Sequence, residues 1–283
     1  MGGGTDQDAA FQWMCARAGG GDFLVLRASG TDAYNSYVKK LCPALNSAAT
    51  LIITSREGAS QPFVAPTIHG ASAVFIAGGS QDNYINFWRG TPVETEINAA
   101  IRRGVPVGGT SAGLAVLGEY NFAALRDTVK SNEALRNPYG ERVTVTRDFL
   151  HVPGLEGVIT DSHFVARNRM GRLIVFLARI AGDGWDHAPL GIGIDEKTVL
   201  LMDVDGTGRV TGLGAVYFLR APGPPEDCRP ETPLTYRNIF VYKLTAGEGR
   251  FNLKSWTGRG GVEYRLSAER GELKSTKASN QIY

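Results

Sequence analysis

The chain has 283 residues, 43% of them hydrophobic and 20% charged, with a formal net charge of +2. That length supports the core of one large α/β domain, or of a domain with an appendage. So small a net charge gives no reason to expect nucleic acid or an anionic membrane as partner, and no apolar run approaches the ~20 residues that would span a bilayer.

The chain opens on Met1 followed at once by Gly2-Gly3-Gly4-Thr5-Asp6. A glycine turn of this kind ordinarily follows a strand. Either the protein begins at the turn or an upstream strand is absent from the sequence; with no signal peptide ahead of it, a cytoplasmic location is favoured. Short apolar strands then alternate with amphipathic helices. Residues 23–26 read as a strand and 34–41 as the following helix; 50–53 read as a strand, 64–68 as a short helix, and 73–77 as a strand ending at Gly78-Gly79. Residues 92–103 form a helix that Gly104 closes from the C′ position. This rhythm predicts a parallel, doubly wound sheet, in which ligands bind beyond the carboxyl ends of the strands.

Gly109-Thr110-Ser111-Ala112-Gly113 stands between a strand at 105–107 and a helical stretch at 114–117. Strand, sharp turn with serine at the apex, then helix is the setting of a nucleophile elbow. Glycine is needed there because strand and helix approach too closely for side chains. The competing reading is chance, since the chain carries 36 glycines.

Residues 121–152 look like a loop-rich excursion. A strand at 158–160 leads into Asp161-Ser162-His163, and a helix is predicted over 165–180, with Arg167, Arg169 and Arg172 on its first turns. Strands at 191–194 and 198–202 flank Asp195-Glu196. From residue 227 onward only turns and β-prone runs such as 239–242 remain. The chain therefore divides into a main domain, 1–222, and a small β extension, 223–283, packed on it, whose last residues are expected to be disordered.

A nucleophilic serine needs a base, and the base an orienting acid. His163, at a strand's carboxyl end, is the favoured base over His69, His151 and His187. Asp195-Glu196 is the best-placed acidic pair, and Asp161 suits a substrate-facing role. The three arginines could grip carboxylates or form a solvated helix face. Asp203-Val204-Asp205-Gly206 reads as a hairpin turn, since no glutamate closes a calcium loop. The clusters Gly2-Gly3-Gly4 and Gly19-Gly20-Gly21 form neither a dinucleotide fingerprint nor a phosphate loop. Cys15, Cys42 and Cys228 fit no zinc spacing and read as three buried thiols, with one disulfide plus one free thiol as the alternative.

Four blocks in order resemble the cyanophycinase group of the S51 serine peptidases, which also contains the aspartyl dipeptidases. They are Gly78-Gly79-Ser80-Gln81, Gly108 to Gly113, Asp161-Ser162-His163-Phe164 with the arginines, and Gly191-Ile192-Gly193-Ile194-Asp195-Glu196. The resemblance implies a flavodoxin-like, doubly wound, mostly parallel α/β sheet, similar to that of the class I glutamine amidotransferases. It implies Ser111 as nucleophile, His163 as base and Glu196 as acid, with backbone N–H groups of Gly79 and Ala112 as oxyanion donors. Gln81, Asp161, Arg167, Arg169 and Arg172 would contact substrate. The implied reaction is cleavage of cyanophycin, an aspartate backbone bearing arginine on each side-chain carboxyl, to β-Asp-Arg; aspartyl or isoaspartyl dipeptides are the alternative substrates. A silent peptide-binding scaffold is the alternative of another class. No metal or organic cofactor is expected, and a homodimer is the implied assembly. Ser80 departs from the family, where an acid often precedes the glutamine.

Overall fold

The computed structural model describes residues 1–283. After helix α1 (Asp8–Arg17), strands β1 (Asp22–Arg27), β2 (Ser47–Ile52), β3 (Ala73–Ile76) and β4 (Val107–Gly109) form an all-parallel sheet in the order β2-β1-β3-β4. Helices α2 (Tyr34–Leu41), α3 (Arg56–Ala59), α4 (Val64–His69), α5 (Gln81–Trp88) and α6 (Pro92–Arg102) make the crossovers. Both faces of this sheet are covered. Leu24, Leu26, Val74 and Ile76 pack with Ile68, Ile97 and Ile101 on one side, while Phe23, Val25 and Phe75 pack with Phe11, Met14 and Val38 on the other. Burial on two faces is why β1 reads as an unbroken apolar run rather than an alternating one. The α6 boundaries follow from chemistry: Thr91 Oγ1 accepts from Val93 N at 3.3 Å, Pro92 opens the helix, and Gly104 leaves it at φ +79°.

The elbow helix α7 (Ala112–Ala115) leads to β5 (Tyr120–Phe122), α8 (Ser131–Arg136) and β6 (Val145–Arg147), so the excursion over 121–152 contains regular structure. Strand β7 (Val158–Asp161), helix α9 (Met170–Gly182) and strand β8 (Leu190–Ile194) then build a second sheet. Strands β9 (Thr198–Met202), β10 (Thr207–Gly212), β11 (Ala215–Arg220), β12 (Tyr236–Thr245), β13 (Arg250–Asn252), β14 (Thr257–Arg259), β15 (Val262–Glu269) and β16 (Glu272–Ser275) complete the fold. The second sheet runs β16-β15-β12-β11-β8-β7-β5-β6, with β5, β7 and β8 parallel and the rest antiparallel. A third, antiparallel sheet has the order β14-β13-β10-β9. The fold is thus mixed α/β.

Several expectations need correction. Parallel pairing does not dominate: five strand pairs are parallel and eight antiparallel, because the chain beyond Glu196 folds as hairpins. Strand β12 pairs with β11, which is how the β-rich residues after 222 join the second sheet. Helix α9 begins at Met170, not 165, because Asn168 sits at φ +48° and interrupts any earlier turn. The last residues are docked rather than disordered: the Tyr283 ring packs edge-on against Phe164 and Tyr217, and its hydroxyl accepts from Met170 N at 3.0 Å. Cys15 and Cys42 form a disulfide and Cys228 is free. Packing of Phe11 in α1 against Tyr34 and Tyr37 in α2 draws the cysteine Cα atoms to 6.3 Å, within bridging range.

An apolar cavity of about 120 Å³ lies between β4 and β9, bounded by Met1, Trp13, Val107, Leu114, Val199 and Leu201. None of Ser111, His163 and Glu196 lines it.

Candidate active site

The turn after β4 places Ser111 at φ 53°, ψ −113°, a conformation that costs an L-residue of order 1–3 kcal/mol. Glycine on both sides makes the turn feasible. A Cβ on Gly109 would meet Gly113 backbone atoms at 2.6 Å, and one on Gly113 would meet Ile76 O at 2.0 Å. The serine hydroxyl is turned toward the end of β7, where His163 also has positive φ, 48°. Ser111 Oγ lies 2.8 Å from His163 Nε2, and His163 Nδ1 lies 2.6 Å from Glu196 Oε1.

The electrostatics suit a base. Burial lowers the His163 pKa below its ordinary value, and nearby Arg167 and Arg169 add to this, while the hydrogen bond that His163 donates to Glu196 works in the opposite sense. The imidazole is therefore neutral near pH 7 and free to take a proton. Glu196 is held below the usual carboxylate range, chiefly by its hydrogen bond with His163. It is the partner that would stabilise an imidazolium.

The two neighbouring acids do other work. Asp195 Oδ1 accepts from Val165 N at 3.0 Å and Oδ2 from Ala215 N at 2.9 Å, which ties β8 to β11 and to the loop after His163. Asp161 is bound by Arg172, whose Nη1 also donates to Thr128 Oγ1 at 3.0 Å, and by Arg169 Nη1 at 3.3 Å. Burial alone would raise the Asp161 pKa, but the arginines outweigh it and the carboxyl is held low. Asp161 and Arg172, expected to face substrate, thus face each other, because burying either charge is tolerable only when it is paired. Arg167 lies in the loop before α9, exposed, with its side chain free of hydrogen-bond partners in the chain, and Arg169 is mostly buried.

Gly78 and Gly79 reach the same crevice: a Cβ on Gly78 would lie 3.5 Å from Ser111 Cβ. Ala112 opens α7, where the first N–H groups have no intrahelical partner. Gln81 is half-buried at the start of α5 and donates from Nε2 to Phe122 O at 2.9 Å. Of the other histidines, His69 pairs with Glu96 at 3.0 Å on the surface, while His151 and His187 are exposed and neither bonds to Ser111.

Residues 1–4, to which the sequence assigns no role in the site, run as a strap through its centre. Met1 N donates to Gly109 O at 2.7 Å and Gly2 N to Thr198 O at 3.0 Å. The only signal was the glycine run itself, which fits no phosphate or dinucleotide motif.

A serine–imidazole–carboxylate chain in which His163 is buried, set where the carboxyl ends of β4, β7 and β8 meet across the two sheets, is the constellation of a serine hydrolase. Residues 11–136 match the description "Peptidase family S51". The cyanophycinase of Trichormus variabilis is 33% identical over 209 residues, covering 72% of this chain and 64% of that protein. The cyanophycinase of Geminocystis herdmanii is 30% identical over 201 residues, covering 69% of this chain and 67% of the relative. A solved peptidase from an acI-B1 Actinobacterium shares the fold with a TM-score of 0.56 at 19% identity, over 87% of this chain and 90% of that one. The chain belongs to peptidase family S51. It spans 64% of the length of the Trichormus relative it matches.

Proposed function

We propose that the protein is a serine exopeptidase of the cyanophycinase type, on a flavodoxin-like, class I glutamine amidotransferase-like core over 1–222 with the β extension 223–283 packed on it. The observation that carries the reading is the His163 ring held between Ser111 and Glu196, at 2.8 and 2.6 Å. Ser111 Oγ attacks the scissile carbonyl carbon while His163 Nε2 takes its proton. The oxyanion is met by the N–H groups of Gly79 and Ala112. The C–N bond then breaks, His163 returns the proton to the leaving amine, and the acyl group remains on Ser111. Water adds to the ester with His163 again as base, and the acid product leaves as Ser111 regains its proton.

Arg167, the arginine free of partners, would bind a substrate carboxylate, with Gln81 and Arg169 as further substrate contacts. Asp161 and Arg172 would serve by holding the turn that carries His163. The scheme uses no metal or cofactor, and a homodimer is the assembly we expect.

The test is mass spectrometry of soluble products from insoluble cyanophycin, with Ser111→Ala alongside. Release of β-Asp-Arg by the wild type alone supports the reading. Cleavage only of short aspartyl or isoaspartyl peptides would shift the substrate to the dipeptidase class. Inertness toward both sets, with Ser111 unlabelled by a fluorophosphonate, would leave a binding scaffold.

A further inference from the structure

Three residues beside or within the catalytic set, Ser111, His163 and Lys197, all have positive φ: 53°, 48° and 55°. They come from three separate turns, after β4, β7 and β8. The backbone N–H of each donates to a successive carbonyl of the strap: Ser111 N to Met1 O at 3.2 Å, His163 N to Gly2 O at 2.7 Å, and Lys197 N to Gly3 O at 2.8 Å. One tripeptide therefore fixes the nucleophile, the base and the residue next to the acid in a common frame.

The strap also lies against the side chains. A Cβ on Gly3, which is at φ +88°, would stand 2.4 Å from His163 Cε1 and 2.5 Å from Nε2; one on Gly4, at φ +75°, would stand 3.2 Å from Glu196 Cβ. A real Cβ cannot occupy the first position without moving the ring. Gly2 is constrained differently, since its Cβ would meet Asp195 O at 2.0 Å.

We propose that Gly3 is a positioning residue for His163. Its bare Cα lets the strap lie on the imidazole, so that Nε2 is aimed at Ser111 while Nδ1 is aimed at Glu196. The inference rests on the serine-peptidase reading above. An ångström of displacement in such a chain costs on the order of 10²-fold in rate.

The experiment compares Gly3→Ala, Gly4→Ala and Gly104→Ala, with rates normalised to sites titrated by a fluorophosphonate. Gly104 is the control: it is also a positive-φ glycine, at +79°, and its Cβ would meet nothing within 4 Å. Gly3→Ala should lower kcat by about 10²-fold with KM changed less than about three-fold, the pattern of a lost transition-state interaction. Because the Glu196 hydrogen bond raises the His163 pKa, loosening that pair should also move the acid limb of kcat/KM to lower pH. Gly4→Ala should do the same more weakly, and Gly104→Ala should lower stability alone. If Gly3→Ala does not fold, Gly4→Ala decides: wild-type kcat and pH limb in it overturn the inference, as they would in a folded Gly3→Ala. Ser111→Ala separates the two readings. If that variant stays active, the serine mechanism fails; if it is dead while Gly3→Ala keeps full kcat, only the strap's role fails.

Discussion

Arg172 grips Asp161 through two parallel hydrogen bonds, Nε to Oδ2 at 2.7 Å and Nη2 to Oδ1 at 2.5 Å, and the two side chains are 1% and 2% exposed. The pair stands directly before the base: Asp161 Oδ1 accepts from Ser162 N at 2.9 Å and Arg169 Nη1 donates to Ser162 O at 2.8 Å. It is therefore a brace for the turn at His163. Removing one member leaves the other charge buried and alone. Asp161→Asn should destabilise the fold by ~3–5 kcal/mol, read by urea denaturation at pH 7. The sign with pH follows from the lowered Asp161 pKa. The stabilisation is complete above the unfolded carboxyl value near 3.9 and fades as pH falls through the lower folded one. Wild-type and Asp161→Asn stabilities should therefore converge toward strong acid; a constant gap down to pH 2 would refute the assignment.

The pH profile should report His163. The free base is the active form, so kcat/KM should fall as pH drops through a value below the unperturbed ~6.5. Two substitutions should move this limb in opposite directions. Arg167 helps to lower the imidazole pKa, so Arg167→Ala should shift the limb to higher pH and raise KM for acidic substrates. Glu196 raises it, so Glu196→Gln should shift the limb to lower pH. The lost support for the imidazolium should cut kcat by ~10²–10⁴-fold. Parallel shifts in the two variants would contradict the electrostatic account.

The Cys15–Cys42 bridge closes a loop with a sequence separation of 27. Loop entropy puts its contribution at roughly 3.5 kcal/mol. The Cys15→Ser/Cys42→Ser double variant should unfold at lower denaturant than the oxidised wild type and match the wild type treated with a reductant. Identical midpoints for oxidised and reduced wild type would show that the bridge adds nothing.

Much of the fold was legible where its causes are local. The helix over 92–103 has its cap, proline and closing glycine in sequence, and its observed bounds differ from the expected ones only at the end. The elbow was legible because Gly109 answers a clash with Gly113 inside the same five residues, although Gly113 answers one with Ile76 that the sequence does not show. The choice of His163 among four histidines was not local: it depends on β7 lying parallel beside β8, which brings Glu196 to the ring. In sequence His163 is favoured only by its place at a strand's carboxyl end, and the resemblance implies the same choice. Helices α1 and α5 went unread because the first lacks a clear apolar face and the second is half polar. One disulfide plus one free thiol stood only as the alternative, because spacing alone does not say which cysteines meet. The pairing of Asp161 with Arg172 was not legible because an acid and a base near a nucleophile look identical in sequence whether they bind substrate or each other.

The positive φ at Ser111 means that the nucleophile is held out at the fold's expense. Glycine is the one residue at ease at φ 53°, ψ −113°. The Ser111→Gly chain should therefore have no peptidase activity yet melt above both the wild type and Ser111→Ala, by part of the ~1–3 kcal/mol that such a conformation stores. Stability and reactivity are opposed at this one residue, so selection for thermal tolerance alone would drive the chain toward an inert protein with the same shape.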